Sequence, residues 1–425
     1  MKQKIRQIIY DIRRQPVIGS VTIIATALSI FLFMVVAITA RVKVVPFAPE
    51  SCRDRLLLGQ YLHLQKIDDE GYNSSASLAY YPAQKLYGGL DGVERVSYMR
   101  PYLISRVVKG TTGKSFSVQT RGVDSEFFKI FDHSLVSGRY FNSAETDANM
   151  PVVVISESTA RKAFGTTDCK GKTLLVNHRK YTVVGVVKDS SYLATTACGD
   201  VFIALGPVDS PKSNMHDFLG EYSAALLVKE GVDFDYIREQ VRRRYAEFNT
   251  ELAGLGWKAV YHQSPFDQDA IASGEIYSNG EPDFAQQKRE RNVLYAILLL
   301  LPAINLSTLL HSRMRKRVNE IGVRRAFGCT RANVIREIIT ENFIFTLLGG
   351  VIGLALGITF ALTYSGLYEN MDVAGMDMTP AISAVINAGT ILIAIGVCFL
   401  LNLISAFVPA WQASRLNPVE AINAK

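Results

Sequence analysis

The chain has 425 residues, of which 48% are hydrophobic and 20% charged, and its formal net charge is +7. The hydrophobic residues gather near the N-terminus and in the last third, around a polar middle, which is typical of a membrane protein with a water-soluble insert. Five cysteines without a C-x-x-C pair argue against both a disulfide scaffold and a zinc ribbon.

The positive charge lies beside the apolar runs, which argues against nucleic-acid binding. Residues 41–291 hold 31 basic and 31 acidic residues, so the insert is neutral. Residues 1–16 hold five Lys or Arg and one Asp, and residues 313–341 hold eight basic and three acidic residues. Residues 365–380 hold three acids and no base. Because Lys and Arg concentrate in cytoplasmic loops, we expect both termini in the cytoplasm and the insert outside.

The first element in chain order is an amphipathic helix over residues 1–16, with Ile5, Ile8, Ile9 and Ile12 at helical spacing. Such a helix lies on the inner membrane surface. The alternative is a simple cytoplasmic extension of the first span.

Four runs without charged residues predict four transmembrane helices. The first, Val17–Ala40, would be about 36 Å long as a helix, against about 30 Å for the hydrocarbon core of a bilayer. It is too long for a cleaved signal peptide, so we favour an uncleaved anchor. The predicted organisation is a cytoplasmic helix at 1–16, spans at 17–40, 291–312, 337–368 and 381–410, an outer domain at 41–290, a cytoplasmic segment at 313–336, an outer loop at 369–380 and a cytoplasmic tail at 411–425.

The residue patterns of the outer domain predict a mixture of helices and strands. The predicted fold class is therefore a four-span membrane protein with an α+β insert, and we expect the insert to contain two subdomains. Residues Pro151–Ile155 predict a buried strand and Glu157–Phe164 a helix. Hairpins are predicted around Asn177–His178 and around Gly110–Lys114. The flanking strands are Leu174–Val176 and Lys180–Val187 for the first hairpin, and Ser97–Val108 and Ser115–Gln119 for the second; a further amphipathic helix is predicted over Val232–Phe248.

The sequence predicts no catalytic residue, metal site or cofactor in this chain. Gly110–Ser115 ends like a P-loop, but Val108 stands where the motif needs its first Gly, and no helix pattern follows. The histidines do not fall at the spacing of metal ligands on one helix face.

A disulfide between Cys169 and Cys198 is predicted, because both would lie in the oxidising compartment. The bridge would close a loop of about 30 residues, worth about 3–4 kcal/mol in the chain-entropy model. Cys52 is the alternative partner.

The segment Arg317–Glu341 carries Glu320, Ile321, Gly322, Arg324, Arg325, Ala326 and Gly328 in the order EIG-x-RRA-x-G. It resembles the cytoplasmic segment after the second span of MacB/FtsX-type ABC permeases, and the tail from Pro409 to Ala421 resembles the ending of that family. The runs Val152–Gly165, Gly171–Asn177 and Tyr181–Asp189 resemble its MacB-like periplasmic domain. Cys169 departs from the family, which has Pro there, and the resemblance does not extend to residues 41–95 and 250–290.

The resemblance implies a non-catalytic permease subunit in the bacterial inner membrane. A second permease copy or paralogue, membrane lipid and a cytoplasmic ABC ATPase would be its partners, with a periplasmic adaptor or outer-membrane protein as a further candidate. ATP and Mg would be bound by the ATPase; because only 16 residues precede the first span, we expect that ATPase on a separate chain. A short coupling helix from about Val318 to Gly328, including Phe327, would dock on it and pass its motion to the outer domain, a mechanism called mechanotransmission.

The sequence is compatible with three functions. The first is export or extrusion of peptides, drugs or lipid-linked substrates. The second, within the same family, is lipoprotein release or FtsX-like regulation of cell-wall hydrolases. The third is a membrane-anchored sensor or scaffold without an ATPase, in which the basic loop only sets orientation.

Overall fold

The computed structural model describes residues 16–41, 43–69, 71–208, 214–273, 283–286, 288–294, 296–297, 323 and 327–363, and the single positions 392, 396 and 400. The described residues belong to two compact units. One contains residues 16–41 and the residues from Gln286 onward, and the other lies within Val42–Ala285.

The first unit contains two long helices, α1 (Pro16–Arg41) and α8 (Arg331–Thr363). Helix α1 coincides with the first predicted span, whereas α8 begins six residues before position 337, the predicted start of the third span. Within the described part of the chain, no helix combines the length and hydropathy required of a bilayer span. Residues 1–15 of the predicted helix at 1–16 and residues 298–312 of the predicted second span lie outside the described residues. The predicted fourth span also lies outside them, apart from three single positions.

The second unit is built from thirteen strands and six helices within the described residues. The helices are α2 (Tyr80–Tyr87), α3 (Phe127–Ile130), α4 (Ser143–Asp147), α5 (Glu157–Phe164), α6 (Phe234–Ala253) and α7 (Gln268–Ser273). The strands are β1 (Leu56–Gly59), β2 (Tyr61–Lys66), β3 (Asn73–Ser77), β4 (Val93–Met99), β5 (Ile104–Lys109), β6 (Ser115–Val123), β7 (Leu135–Gly138), β8 (Val152–Ser156), β9 (Thr173–Val176), β10 (Arg179–Val187), β11 (Val201–Ala204), β12 (Ser223–Val228) and β13 (Trp257–Val260).

Six of the strands close into a barrel. They pair in the order β6, β11, β8, β10, β9 and β5, and β5 pairs back with β6. Valines and isoleucines on the inner face fill one end of this barrel, among them Val108, Val153 and Ile155. Helix α5 closes that end, because the Ala163 carbonyl accepts the Thr112 N–H at 3.0 Å from the β5–β6 turn.

The chain enters the barrel after β4 and leaves it before β12. Strand β12 pairs with both β1 and β4, and β4 also pairs with β6 of the barrel. Strands β13, β2 and β3 form a separate sheet. Helices α2 and α6 bury their apolar faces against both sheets. On α6 the buried residues fall at helical spacing, which confirms the amphipathic helix predicted from Val232: Ile237, Val241, Tyr245, Phe248 and Leu252.

Local chemistry explains the elements that the sequence predicts best. Ser156 ends β8 and caps α5, where its hydroxyl accepts the Thr159 N–H, and Gly165 ends the helix at a φ of +73°. Asn177 and His178 have φ values of 46° and 67°, the conformation of a tight hairpin turn. The strand, the helix and this hairpin are therefore confirmed.

The prediction of one strand over Ser97–Val108 is wrong. The structure has two strands there, β4 ending at Met99 and β5 starting at Ile104. Pro101 lies between them, and its ring removes the N–H that a continuous ladder needs. The break lets β4 pair with β12 while β5 joins the barrel.

Candidate functional site

The C-terminal end of the basic segment is an exposed turn that leads into α8. The Phe327 N–H donates to the Val323 carbonyl at 3.1 Å, and Gly328 follows at a φ of +93°, a conformation that ends a helix. Phe327 is 88% exposed, which is unusual for a large aromatic side chain. The turn therefore presents an apolar side chain that is available to a partner.

Helix α8 begins directly after this turn. The Thr330 hydroxyl accepts the Asn333 N–H at 3.3 Å, so Thr330 caps the helix. From Arg331 the helix continues without a break for 33 residues to Thr363. The last residues of the predicted cytoplasmic segment and the predicted third span thus lie on one continuous helix.

Most of the predicted docking residues lie outside the described part of the chain: Glu320, Ile321, Gly322, Arg324, Arg325 and Ala326. Only Phe327 and Gly328 of that set are described. The helix from Val318 to Gly328 and its contact with an ATPase stay predictions.

Three glycines bring α8 close to α1. A Cβ on Gly353 would lie 2.3 Å from the Ala27 carbonyl oxygen, and one on Gly357 would lie 2.8 Å from the Met34 Cβ. A Cβ on Gly349 would lie 2.7 Å from the Thr26 Cβ. Because glycines four residues apart form a flat groove, the two helices pack backbone against side chain. Helices α1 and α8 are therefore in direct contact along the glycine-lined face of α8.

A buried ion pair anchors the first residues of the second unit. Arg53 Nε lies 2.6 Å from a Glu50 carboxylate oxygen, and both side chains are 0% exposed. The other Glu50 oxygen accepts the backbone N–H groups of Thr196 and Ala197, each at 2.8 Å. Arg53 also donates to the Leu193 carbonyl at 2.5 Å. The segment that follows α1 in the chain is thus fixed to the loop before β11.

Sequence reasoning missed this anchor. In the sequence, Glu50 and Arg53 are one acid and one base three residues apart, like several exposed pairs on α6. Their partners lie about 140 residues away, at Leu193 and Thr196. Only the apolar surroundings of Glu50, between Pro49 and Cys52, hinted at burial.

The stretch that resembles a P-loop is a hairpin turn, as predicted. Gly110–Lys114 connects β5 to β6, and Gly113 has a φ of +78°. A strand follows the turn, so no helix N-terminus is presented to a phosphate there.

The predicted disulfide is not formed in the structure. Cys169 and Cys198 are both free and buried, Cys169 in the barrel core and Cys198 beside the Arg121 guanidinium. Burial raises the pKa of each thiol to about 11. The alternative partner, Cys52, is also free and donates to the Ile130 carbonyl.

Two family models match the chain. The model of the MacB-like periplasmic core domain matches residues 17–244, and that of the FtsX-like permease C-terminal region matches residues 292–418. The first match includes residues 41–95, where the sequence motifs gave no resemblance.

Several curated relatives are export proteins by name. The macrolide export ATP-binding/permease protein MacB of Neisseria gonorrhoeae is 27% identical over 302 residues, which cover 71% of this chain and 42% of the relative. The pyoverdine export ATP-binding/permease protein PvdT of Pseudomonas savastanoi pv. phaseolicola is 27% identical over 315 residues, 72% of this chain and 42% of the relative. The chain thus spans less than half the length of these relatives.

Solved structures give weaker similarity. The periplasmic region of MacB from Actinobacillus actinomycetemcomitans is 16% identical and covers 52% of this chain and 94% of that chain, with a TM-score of 0.34. The extracellular domain of the ABC-type transporter YknZ from Gram-positive bacteria is 17% identical and covers 47% of this chain and 100% of that chain, with a TM-score of 0.33.

Proposed function

This chain belongs to the family of MacB-like permeases with an FtsX-like C-terminal region, and on that basis we propose that it is the non-catalytic permease subunit of an ABC-type export system. An ABC ATPase on a partner chain supplies the energy, and two permease copies or paralogues form the membrane part. The names of the relatives, which describe export of macrolides and pyoverdine, support export as the direction of transport.

The proposed topology places both termini in the cytoplasm, four spans in the bacterial inner membrane and residues 41–290 in the periplasm. The charge distribution supports it, because the basic segments flank the uncharged runs on one side only. Impermeant thiol reagents test it in intact cells. A cysteine introduced near Lys316 should stay unlabelled, and labelling there would contradict the proposed orientation.

The observation that carries the coupling mechanism is the exposed Phe327 at the start of an unbroken helix. Phe327, with Arg324 and Arg325 before it, forms the proposed contact with the ATPase, where arginines pair with carboxylates. Motion of that contact moves α8 as one element, because its backbone is helical without interruption from Arg331 to Thr363. The glycine contacts then carry the motion from α8 to α1.

The outer domain receives this motion through the chain itself. Helix α1 ends at Arg41, and the buried Glu50–Arg53 pair lies a few residues further on. Because this pair fixes the segment to the loop before β11, a pull on the segment is passed into the domain rather than lost by local unfolding. The proposed outcome is work on a periplasmic substrate, which is mechanotransmission.

Purification of the tagged chain from native membranes tests this function. An ABC ATPase, recognised by mass spectrometry from its Walker motifs, should accompany the parent chain. Phe327→Asp, and separately the double variant Arg324→Gln and Arg325→Gln, should lose it while the permease dimer remains.

A matched control is Tyr236→Ala, which removes an exposed aromatic from the outer domain. This control should retain the ATPase. Full retention by the Phe327 and arginine variants would mean that the basic segment sets orientation only. Absence of any ATPase from the parent preparation would favour a sensor or scaffold.

A further inference from the structure

The end of the barrel opposite α5 opens into a cavity of about 390 Å³, here called the barrel mouth. Its walls include Ile104 and Arg106 of β5, Arg179 and Tyr181 of β10, and Ile203 of β11. Small-molecule sites have volumes of about 300–1,000 Å³ and often lie in the mouths of barrels. The cavity is therefore large enough for a small ligand.

Strand register places two arginines on the inner face of the barrel. Arg106 lies opposite Val118 in the β5–β6 pair, and Arg179 lies opposite Val176 in the β10–β9 pair. Both valines are buried in the barrel core. Since directly opposed residues share a face, Arg106 and Arg179 project on the same side as that core.

The cations of the mouth have few counter-charges. Arg100, on the rim, is paired with Glu221 at 2.7 Å. Arg106, Arg179 and Lys180 form no ion pair with any described residue, and no Asp or Glu is among the described residues lining the cavity. A cavity lined by one sign of charge attracts ligands of the opposite sign.

The wall below the cations is apolar. Ile104, Tyr181 and Ile203 line the sides, with Met150 at the edge. Further in, Val153 and Ile155 fill the barrel and α5 closes its far end. The mouth is thus a blind pocket with apolar sides and a cationic rim.

We propose that the barrel mouth binds a small anionic amphiphile, a molecule with a carboxylate or phosphate head group on a short hydrocarbon chain. Arg106 and Arg179 hold the head group, since guanidinium groups bind such anions through paired hydrogen bonds. The chain packs against Ile104, Tyr181 and Ile203. This site does not depend on the proposed coupling to an ATPase, and its test contains no nucleotide.

Photo-crosslinking in the full-length chain tests the site directly. The chain is reconstituted in peptidiscs, labelled with decanoic acid carrying a diazirine at its tail, and the labelled peptides are mapped by mass spectrometry. Label is expected in β5, β10 or β11. In the double variant Arg106→Gln and Arg179→Gln, the probe concentration for half-maximal labelling should rise about tenfold or more. In the double variant Arg106→Lys and Arg179→Lys, that concentration should change little.

Competition and a charge control complete the experiment. Decanoate and decyl phosphate should both compete for the label, and decanol and decyltrimethylammonium should not. The control Arg242→Gln with Arg243→Gln removes two exposed cations from α6 and should change nothing. Label confined to other peptides, or unchanged in the Arg106 and Arg179 glutamine variant, would overturn the site. Complete displacement by inorganic phosphate alone would overturn the role of the hydrocarbon chain.

Discussion

Replacing Glu50 with Gln should destabilise the outer domain more than the loss of a surface pair would. The variant leaves the Arg53 guanidinium buried without a counter-charge. Its single amide oxygen cannot both accept the backbone N–H groups of Thr196 and Ala197 and face Arg53, so one of these donor sets meets an NH2 group. Breaking a buried pair on one side costs about 3–5 kcal/mol. Arg53 keeps its bonds to the Val45 and Leu193 carbonyls, so we expect the lower end, about 3 kcal/mol.

Urea unfolding of the full-length chain in detergent measures this loss. The chain has two tryptophans, and a Trp411→Phe background leaves Trp257, on β13, as the reporter of the outer domain. With a denaturant slope of about 2–3 kcal/mol/M, a loss of about 3 kcal/mol lowers the urea midpoint by about 1–1.5 M.

A matched control separates burial from charge. Glu239 forms the same three-residue spacing with Arg242, but both side chains are exposed on α6. Because exposed pairs contribute little, Glu239→Gln should unfold at the parent midpoint. If Glu50→Gln also unfolds at the parent midpoint, or if both variants shift alike, the buried pair is not an anchor and the reasoning fails.

Three further outcomes are expected. Gly353→Ala places a Cβ 2.3 Å from the Ala27 carbonyl oxygen of α1, so it should lower the melting temperature of the protein in detergent. The control Gly350→Ala should lower it less, because its Cβ meets the flexible end of Ile30 at 3.3 Å. Equal effects of the two variants would contradict the helix packing. Burial lowers the pKa of His133 to about 4, so the neutral imidazole supports the fold above about pH 6.5. As the pH falls from 6.5 toward 4, the free energy of unfolding should drop by up to about 3 kcal/mol. His133→Gln should flatten that part of the pH profile of urea midpoints, and an unchanged slope would refute the assignment. Cys169 and Cys198, both free with raised pKa values, should resist alkylation until urea unfolds the chain, whereas a disulfide-linked peptide from the unreduced protein would contradict the structure.

The sequence predicted those parts of the fold that depend on neighbouring residues. The cap at Ser156, the stop at Gly165 and the Asn177–His178 turn act within a few residues, so their spacing indicates the strand, helix and hairpin around them. The spacing of apolar residues likewise located α6.

Contacts between distant segments were not predictable in the same way. Closure of the barrel requires β5 to pair with both β6 and β9, and no local signal reports that arrangement. The inward direction of Arg106 follows from this register, since the sequence of β5 alone does not say which face is inside. The Glu50 anchor is equally non-local, because its backbone donors lie in the loop before β11.

The candidate coupling site was also predictable only in part from the sequence. The order of residues from Glu320 to Gly328 predicted a docking segment through its resemblance to a family, and that family is confirmed. The exposed side chain of Phe327 and the unbroken start of α8 came only from the structure. A residue-type pattern does not show that a turn at Gly328 separates Phe327 from α8, or that α8 then continues unbroken from Arg331 to Thr363.

Site-specific photo-crosslinking at Phe327 tests the central claim most directly. A benzoylphenylalanine in place of Phe327, in a tagged chain expressed in its own cells, should form a covalent adduct with an ABC ATPase that mass spectrometry identifies by its Walker motifs. The same probe in place of Tyr236, which is exposed on the outer domain, should give no such adduct. An ATPase adduct from position 236, or none from position 327, would contradict the account.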